Sequence, residues 1–130
     1  MSLEDEIHDK LVADASSVLE NNLERVQDLL QIYEDETIEI KSPYRQASGK
    51  VQALIYLIGQ RFAKEGNVAD EQTLSTEYFY ERIDKGKRTV RKYLQQLRDA
   101  GFATKEGQSE HRVVVENLPN ALDWIEGEVE

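Results

Sequence analysis

Between Lys87 and Val115 a helical apolar stripe ends at a glycine and gives way to a hairpin pattern, and any fold has to accommodate that junction. Val90, Tyr93, Leu94 and Leu97 recur at intervals of three and four, which places them on one face of a helix from Lys87 to Ala100. Gly101 is a natural stop, because glycine readily takes the left-handed conformation that closes many helices, and Phe102 follows it as an apolar anchor. Two strand patterns come next, Phe102–Lys105 and His111–Val115, joined by the polar turn Glu106-Gly107-Gln108-Ser109-Glu110. Upstream, Ser48 caps a helix whose apolar positions are Val51, Leu54, Ile55, Leu57, Ile58, Phe62 and Ala63, stopped by Gly66 and Asn67. It is the most hydrophobic stretch and the expected centre of the core.

A shorter helix is expected over Leu74–Ile83, capped by Ser75 or Thr76, and Asp84-Lys85-Gly86 connects it tightly to the helix at Lys87. Near the start, Ser2 suits an N-cap, and Glu4, Asp5 and Glu6 lie where a helix dipole favours negative charge. Apolar residues from Ile7 through Leu11, Val12, Ala15, Val18, Leu19, Leu23, Val26, Leu29 and Leu30 to Tyr33 keep helical spacing over about 30 residues. Asn21–Asn22 marks a break between two helices, or Asn22 is a polar layer in one seam. That seam, Val12, Ala15, Leu19, Asn22, Val26, Leu29 and Tyr33, resembles a coiled-coil stripe and equally fits an amphipathic helix packed on its own domain. Thr37–Lys41 alternates as a short strand does and is ended by Ser42-Pro43-Tyr44. Asn117 or Leu118 opens a final helix through Pro119, with Leu118, Ala121, Leu122 and Ile125 as its apolar face and Trp124 as a packing anchor. The chain thus divides into an acidic helical extension with a short strand (1–45), a central unit (46–116) and a C-terminal helix with an acidic tail (117–130).

The formal net charge of −10 is unevenly distributed. Residues 1–40 hold twelve acids and two bases, 41–112 hold fourteen bases and nine acids, and 113–130 hold five acids and no base. Six bases and the single acid Asp84 fall within Arg82–Lys92. A basic middle between acidic ends is a stronger pointer to a polyanionic partner than the total is against one.

The segments Tyr80-Glu81-Arg82-Ile83, Lys87-Arg88-Thr89-Val90-Arg91-Lys92-Tyr93-Leu94 and Leu97-Arg98-Asp99-Ala100-Gly101-Phe102, with the hairpin after them, resemble the winged helix-turn-helix superfamily of DNA-binding proteins. The resemblance covers about Ser48 to Val115 and departs from the usual pattern at Gly86, where serine is common, and at Tyr80, where a small alanine is common. It implies a mainly α fold with a small β-hairpin wing. Helix 87–100 would be a recognition helix in the major groove of double-stranded DNA, with wing 102–115 on flanking backbone. With Val90, Leu94 and Leu97 turned inward, Arg88, Arg91 and Gln95 are candidates for base edges. Lys85, Lys87, Lys92, Lys105 and Arg112 are candidates for phosphates, and Thr89 either contacts phosphate or packs at the turn.

Each of these residues has a plainer use. The basic cluster can solvate a helix face or pair with Glu77, Glu81 and Asp99, and Lys105 and Arg112 share the hairpin with Glu106 and Glu110. His111 reads as an ordinary strand residue. No catalytic or metal-binding constellation is legible: the two histidines, His8 and His111, lie far apart, Gly49-Lys50 lacks the rest of a phosphate loop, and cysteine is absent. No cofactor and no enzymatic activity are expected.

The expected function is a dimeric transcriptional regulator, with the N-terminal helices and the Leu118–Ile125 helix as the homodimer interface. A winged-helix subunit that docks protein partners within a larger assembly is the alternative. Neither a membrane span nor a signal peptide is legible, so the cytoplasm is the expected setting. The acidic balance resembles that of salt-adapted, archaeal-type proteins.

Overall fold

The computed structural model describes residues 2–11 and 14–129. Among them the chain forms seven α-helices and two small antiparallel sheets, a mixed architecture rather than a helical one with a single hairpin. The order is α1 (Leu3–Leu11), α2 (Ala15–Asn21), α3 (Leu23–Gln27), β1 (Leu30–Ile32), β2 (Ile38–Ile40), α4 (Gly49–Glu65), β3 (Leu74–Ser75), α5 (Thr76–Arg82), α6 (Lys87–Asp99), β4 (Ala103–Glu106), β5 (Glu110–Val113) and α7 (Leu118–Glu128). No helix among the described residues is long and apolar enough to cross a membrane.

Helix α4 is the centre of the core, as its hydrophobic run predicts. The Ser48 hydroxyl accepts a hydrogen bond from the Val51 N–H at 3.3 Å, and the helix closes at Gly66, followed by Asn67 in the left-handed region at φ 60°. Val51, Leu54, Ile55, Leu57 and Ile58 are all inaccessible to solvent. Such a helix needs cover on several sides, and its glycines show where the cover comes closest. A Cβ at Gly59 would lie 3.0 Å from the Ile38 side chain and 3.2 Å from that of Leu30, so the β1–β2 hairpin packs there. A Cβ at Gly49 would lie 2.8 Å from the Tyr93 ring and 2.9 Å from Ile83, so α6 and the end of α5 press on the other end. Gly49→Ala is therefore expected to cost about 1–3 kcal/mol through overpacking. Gly127→Ala, in open space near the end of α7, should instead gain several tenths up to about 1 kcal/mol. Urea denaturation of the two variants checks the opposite signs.

Of the two readings of the N-terminal segment, the structure has the break between helices at Asn21–Asn22, and it corrects the helical spacing that runs on to Tyr33. The break falls at Asn22, which is buried and donates from its side chain to the Val18 carbonyl at 2.7 Å. After Gln27 the chain leaves the helix, and Leu30, Gln31 and Ile32 pair with Ile40, Glu39 and Ile38. Helical spacing across Leu29, Leu30 and Tyr33 loses to strand pairing that buries Leu30, Ile38 and Ile40 on α4. No coiled-coil seam runs to Tyr33, and its first position, Val12, lies outside the described residues. The predicted strand Thr37–Lys41 exists as Ile38–Ile40, with a partner that the sequence disguised.

The second sheet has the order β3-β5-β4. The hairpin strands are Ala103–Glu106 and Glu110–Val113, shifted slightly from the expected Phe102–Lys105 and His111–Val115, and Gly107 at φ 69° makes the turn. The two-residue strand β3, read from sequence as the start of a helix, pairs Leu74 with His111 and Ser75 with Glu110. Ser75 then caps α5, its hydroxyl accepting from the Tyr78 N–H at 3.2 Å.

Helix α7 follows the prediction in position and face, but its apolar side is already covered within the chain. Leu118, Ala121, Leu122 and Ile125 are at most 1% exposed, which removes the reason for expecting them in a dimer interface. Arg25 of α3 clasps the outer side of α7, at 2.7 Å from Asp123 and 2.9 Å from Glu126. Trp124 packs against Phe102 with ring centroids 5.9 Å apart, as an anchor residue should.

Candidate nucleic-acid interface

The short connection from Ile83 to Gly86 sets α6 against α5 and α4, with Val90, Leu94 and Leu97 buried in that contact. Tyr93 is only half-buried, its ring lying over Gly49. This fixes the outer face. Lys85, Lys87, Arg88, Arg91, Lys92 and Gln95 are all exposed, and Thr89 is half-buried at the turn. Gly86 caps the helix with its backbone alone, and the first helical bond runs from the Val90 N–H to the Gly86 carbonyl at 3.0 Å. The N–H groups of Lys87, Arg88 and Thr89 precede that bond, so the positive end of the helix dipole opens among the cations.

Pairing with neighbouring acids does not account for this cluster. Among the described residues, ion pairs hold Arg25, Arg45, Arg61, Arg82 and Arg112, and none involves a side chain of α6. Arg82 is the cluster member that is engaged: it lies 3.7 Å over the Tyr78 ring, donates to the Tyr78 carbonyl and meets Glu81 at 3.5 Å. Among the described residues, Lys85, Lys87, Arg88, Arg91 and Lys92 have no carboxylate within 4 Å. On the hairpin the two candidates differ. Lys105 is exposed and unpaired among the described residues, whereas Arg112 is held by Glu106 across the strands at 2.7 Å.

Two residues to which the sequence assigns no role at the site belong to this surface. The Tyr80 hydroxyl accepts a hydrogen bond from Arg91 at 3.1 Å, and the Lys87 ammonium lies 5.3 Å from the Tyr80 ring centroid. One α5 side chain thereby steadies two α6 cations, a use that only the larger residue in place of alanine permits. Arg98 is the second. It is half-buried and, with Arg91 and Gln95, lines a cleft of about 550 Å³ between α6, the start of α5 and the hairpin. The spacing of four and three from Arg91 through Gln95 to Arg98 was the available signal, since it places all three on one helix face.

His111 lies at the base of that cleft, 2% exposed, edge-on to Phe79. Thr76 Oγ1 is 3.3 Å from the Ser109 carbonyl, to which it can donate only its proton, and 2.8 Å from His111 Nε2. Which of the two donates in the second contact depends on the ring tautomer, and Nδ1 is buried without a partner. Burial, aided by the charges of Arg98 and Lys105, pushes the His111 pKa from 6.5 down to about 4. The unfolded chain therefore binds this proton at a higher pH than the folded one does. Stability is fully present above pH 6.5 and falls as the pH drops towards 4, by about 3 kcal/mol from this group. Chemical denaturation of the wild type and His111→Gln across that window checks the value, because the carboxylate contributions common to both cancel. Equal pH slopes would contradict it.

No protein-family model, no curated protein and no solved structure matches the chain.

Proposed function

We propose that residues 46–116 form a winged helix-turn-helix and that the chain is a double-stranded DNA-binding regulator of transcription. Helix α6 enters the major groove and the β4–β5 hairpin lies on flanking backbone. The observation that carries this reading is the outer face of α6, where Lys87, Arg88, Arg91 and Lys92 are exposed with no carboxylate partner among the described residues. A solvated helix of a stable acidic protein has carboxylates at hand to neutralise such a row. Here none lies within 4 Å among the described residues, and phosphate is the natural counter-charge. An α-helix fits the major groove, where arginine binds guanine bidentately and glutamine binds adenine. Arg88, Arg91 and Gln95 read bases, while Lys85, Lys87, Lys92 and Lys105 hold phosphates. Arg112 contributes less than Lys105 because Glu106 already engages it.

A low-salt mobility-shift assay with random-sequence duplex tests the reading. Binding should appear at micromolar protein, since nonspecific affinities of such proteins are roughly 1–100 µM at physiological salt and tighter below it. No shift at about 100 µM protein in low salt would contradict the reading.

The regulator acts as a homodimer in this account, and α1 carries the longest exposed apolar stripe among the described residues, with Leu23 of α3 exposed as well. Leu3, Ile7 and Leu11 recur at helical spacing and are 71%, 41% and 79% exposed. A second copy would cover this stripe. Light scattering after size exclusion should give a dimer for the wild type and a monomer for the Leu3→Gln, Ile7→Gln, Leu11→Gln variant. A dimer that survives the triple change removes α1 from the interface.

A further inference from the structure

Helix α6 carries cations on more than one flank, and those facing the hairpin are the less well explained. Arg98 is half-buried, yet among the described residues its guanidinium has neither a carboxylate within 4 Å nor a hydrogen-bond acceptor. None of its nitrogens is withdrawn from solvent, so the guanidinium is free to take an anion without giving up a protein partner. Among the described residues Lys105, on the same cleft, has no ion-pair partner either, and Arg91 bonds only the neutral Tyr80 hydroxyl. Three cations thus line one concavity. The floor offers no counter-charge, because His111 is buried and its Nδ1 has no partner. Glu77 is the one acid on the lining; it is exposed and makes no ion pair.

We infer that this cleft is a binding site for a small phosphate-bearing molecule, held by Arg91, Arg98 and Lys105. Two guanidinium forks and an ammonium suit the several oxygens of a phosphate group. At about 550 Å³ the cleft lies within the usual range of small-molecule sites and exceeds what inorganic phosphate fills, leaving space for an organic body against Leu94 and Tyr80. Resting on the DNA-binding reading, a second consequence follows: Arg91 and Gln95 serve both ligands, so the small molecule and a duplex exclude one another. The molecule is then a releasing effector, and by linkage each ligand weakens the other by the same factor.

The test uses inorganic pyrophosphate as the probe, titrated calorimetrically into the full chain at constant ionic strength. The expected result is at least tenfold weaker uptake by Arg98→Ala than by the wild type, with Lys64→Ala, which removes the same charge elsewhere, behaving as wild type. Pyrophosphate should also raise the apparent Kd for a labelled duplex in the wild type and leave it unchanged in Arg98→Ala. Uptake insensitive to Arg98→Ala overturns the proposal. So does the pair of results in which Arg98→Ala weakens duplex binding while the wild type takes up no pyrophosphate, since the cleft then seats a DNA backbone phosphate. Pyrophosphate uptake that depends on Arg98 in a chain that binds no duplex supports the cleft and overturns the DNA reading alone.

Discussion

Replacing Arg88 and Arg91 together with alanine is expected to weaken binding to the chain's selected duplex by roughly 30- to 1,000-fold, with little change in folding stability. Each arginine that reads a guanine contributes about 1–3 kcal/mol, and neighbours on one helix add imperfectly, so about 2–4 kcal/mol is the net expectation. Both side chains are exposed and neither has an ion-pair partner to lose, so the change in unfolding free energy should stay within about 0.5 kcal/mol. Lys87→Ala with Lys92→Ala should behave differently. Phosphate contacts carry no sequence information, so this variant weakens all duplexes alike and flattens the salt dependence. Anisotropy titration against selected and scrambled duplexes separates the two effects. An Arg88, Arg91 variant with unchanged affinity would remove α6 from the interface.

Phe79→Ala should destabilise the fold by about 3–5 kcal/mol, a large share of the 5–15 kcal/mol typical of a domain. The ring is fully buried and lies edge-on to Tyr78 at 5.6 Å and to His111 at 6.0 Å, so it joins α5 to β5. Truncation leaves a cavity between the helix that positions Tyr80 and the strand that carries His111. The face proposed to bind DNA is assembled by that contact, so affinity should fall along with stability. Urea denaturation measures the first effect, and a loss under about 1 kcal/mol would mean that the core closes without this ring.

Much of the central unit was legible because local and tertiary preferences agree there. Ser48 and Gly66 bound α4, Gly101 ends α6, and Gly107 turns the hairpin, each where the sequence places it. Agreement fails at Leu29–Tyr33, where helical spacing and β-propensity compete and the pairing of Leu30–Ile32 with Ile38–Ile40 decides. A strand as short as Leu74–Ser75 has no periodicity to read, and only its partner β5 defines it. At the site, exposure of the α6 cations followed from the inward stripe Val90, Leu94 and Leu97. Helical spacing puts Arg98 on the face of Arg91 and Gln95, but that this face forms a cleft depends on the hairpin opposite, which the spacing does not show. The cover over α7 was equally invisible. Its apolar face is satisfied by residues distant in the chain, so apolar surface that looked available was not.

The account turns on whether the unpaired cations of α6 and the hairpin neutralise DNA phosphate. The direct measurement is the Kd of the wild-type chain for a labelled duplex from low to physiological salt. Four phosphate contacts, at Lys85, Lys87, Lys92 and Lys105, predict that log affinity falls with log salt with a slope of roughly −3 to −4. A slope near zero, or no binding at the lowest salt, contradicts it.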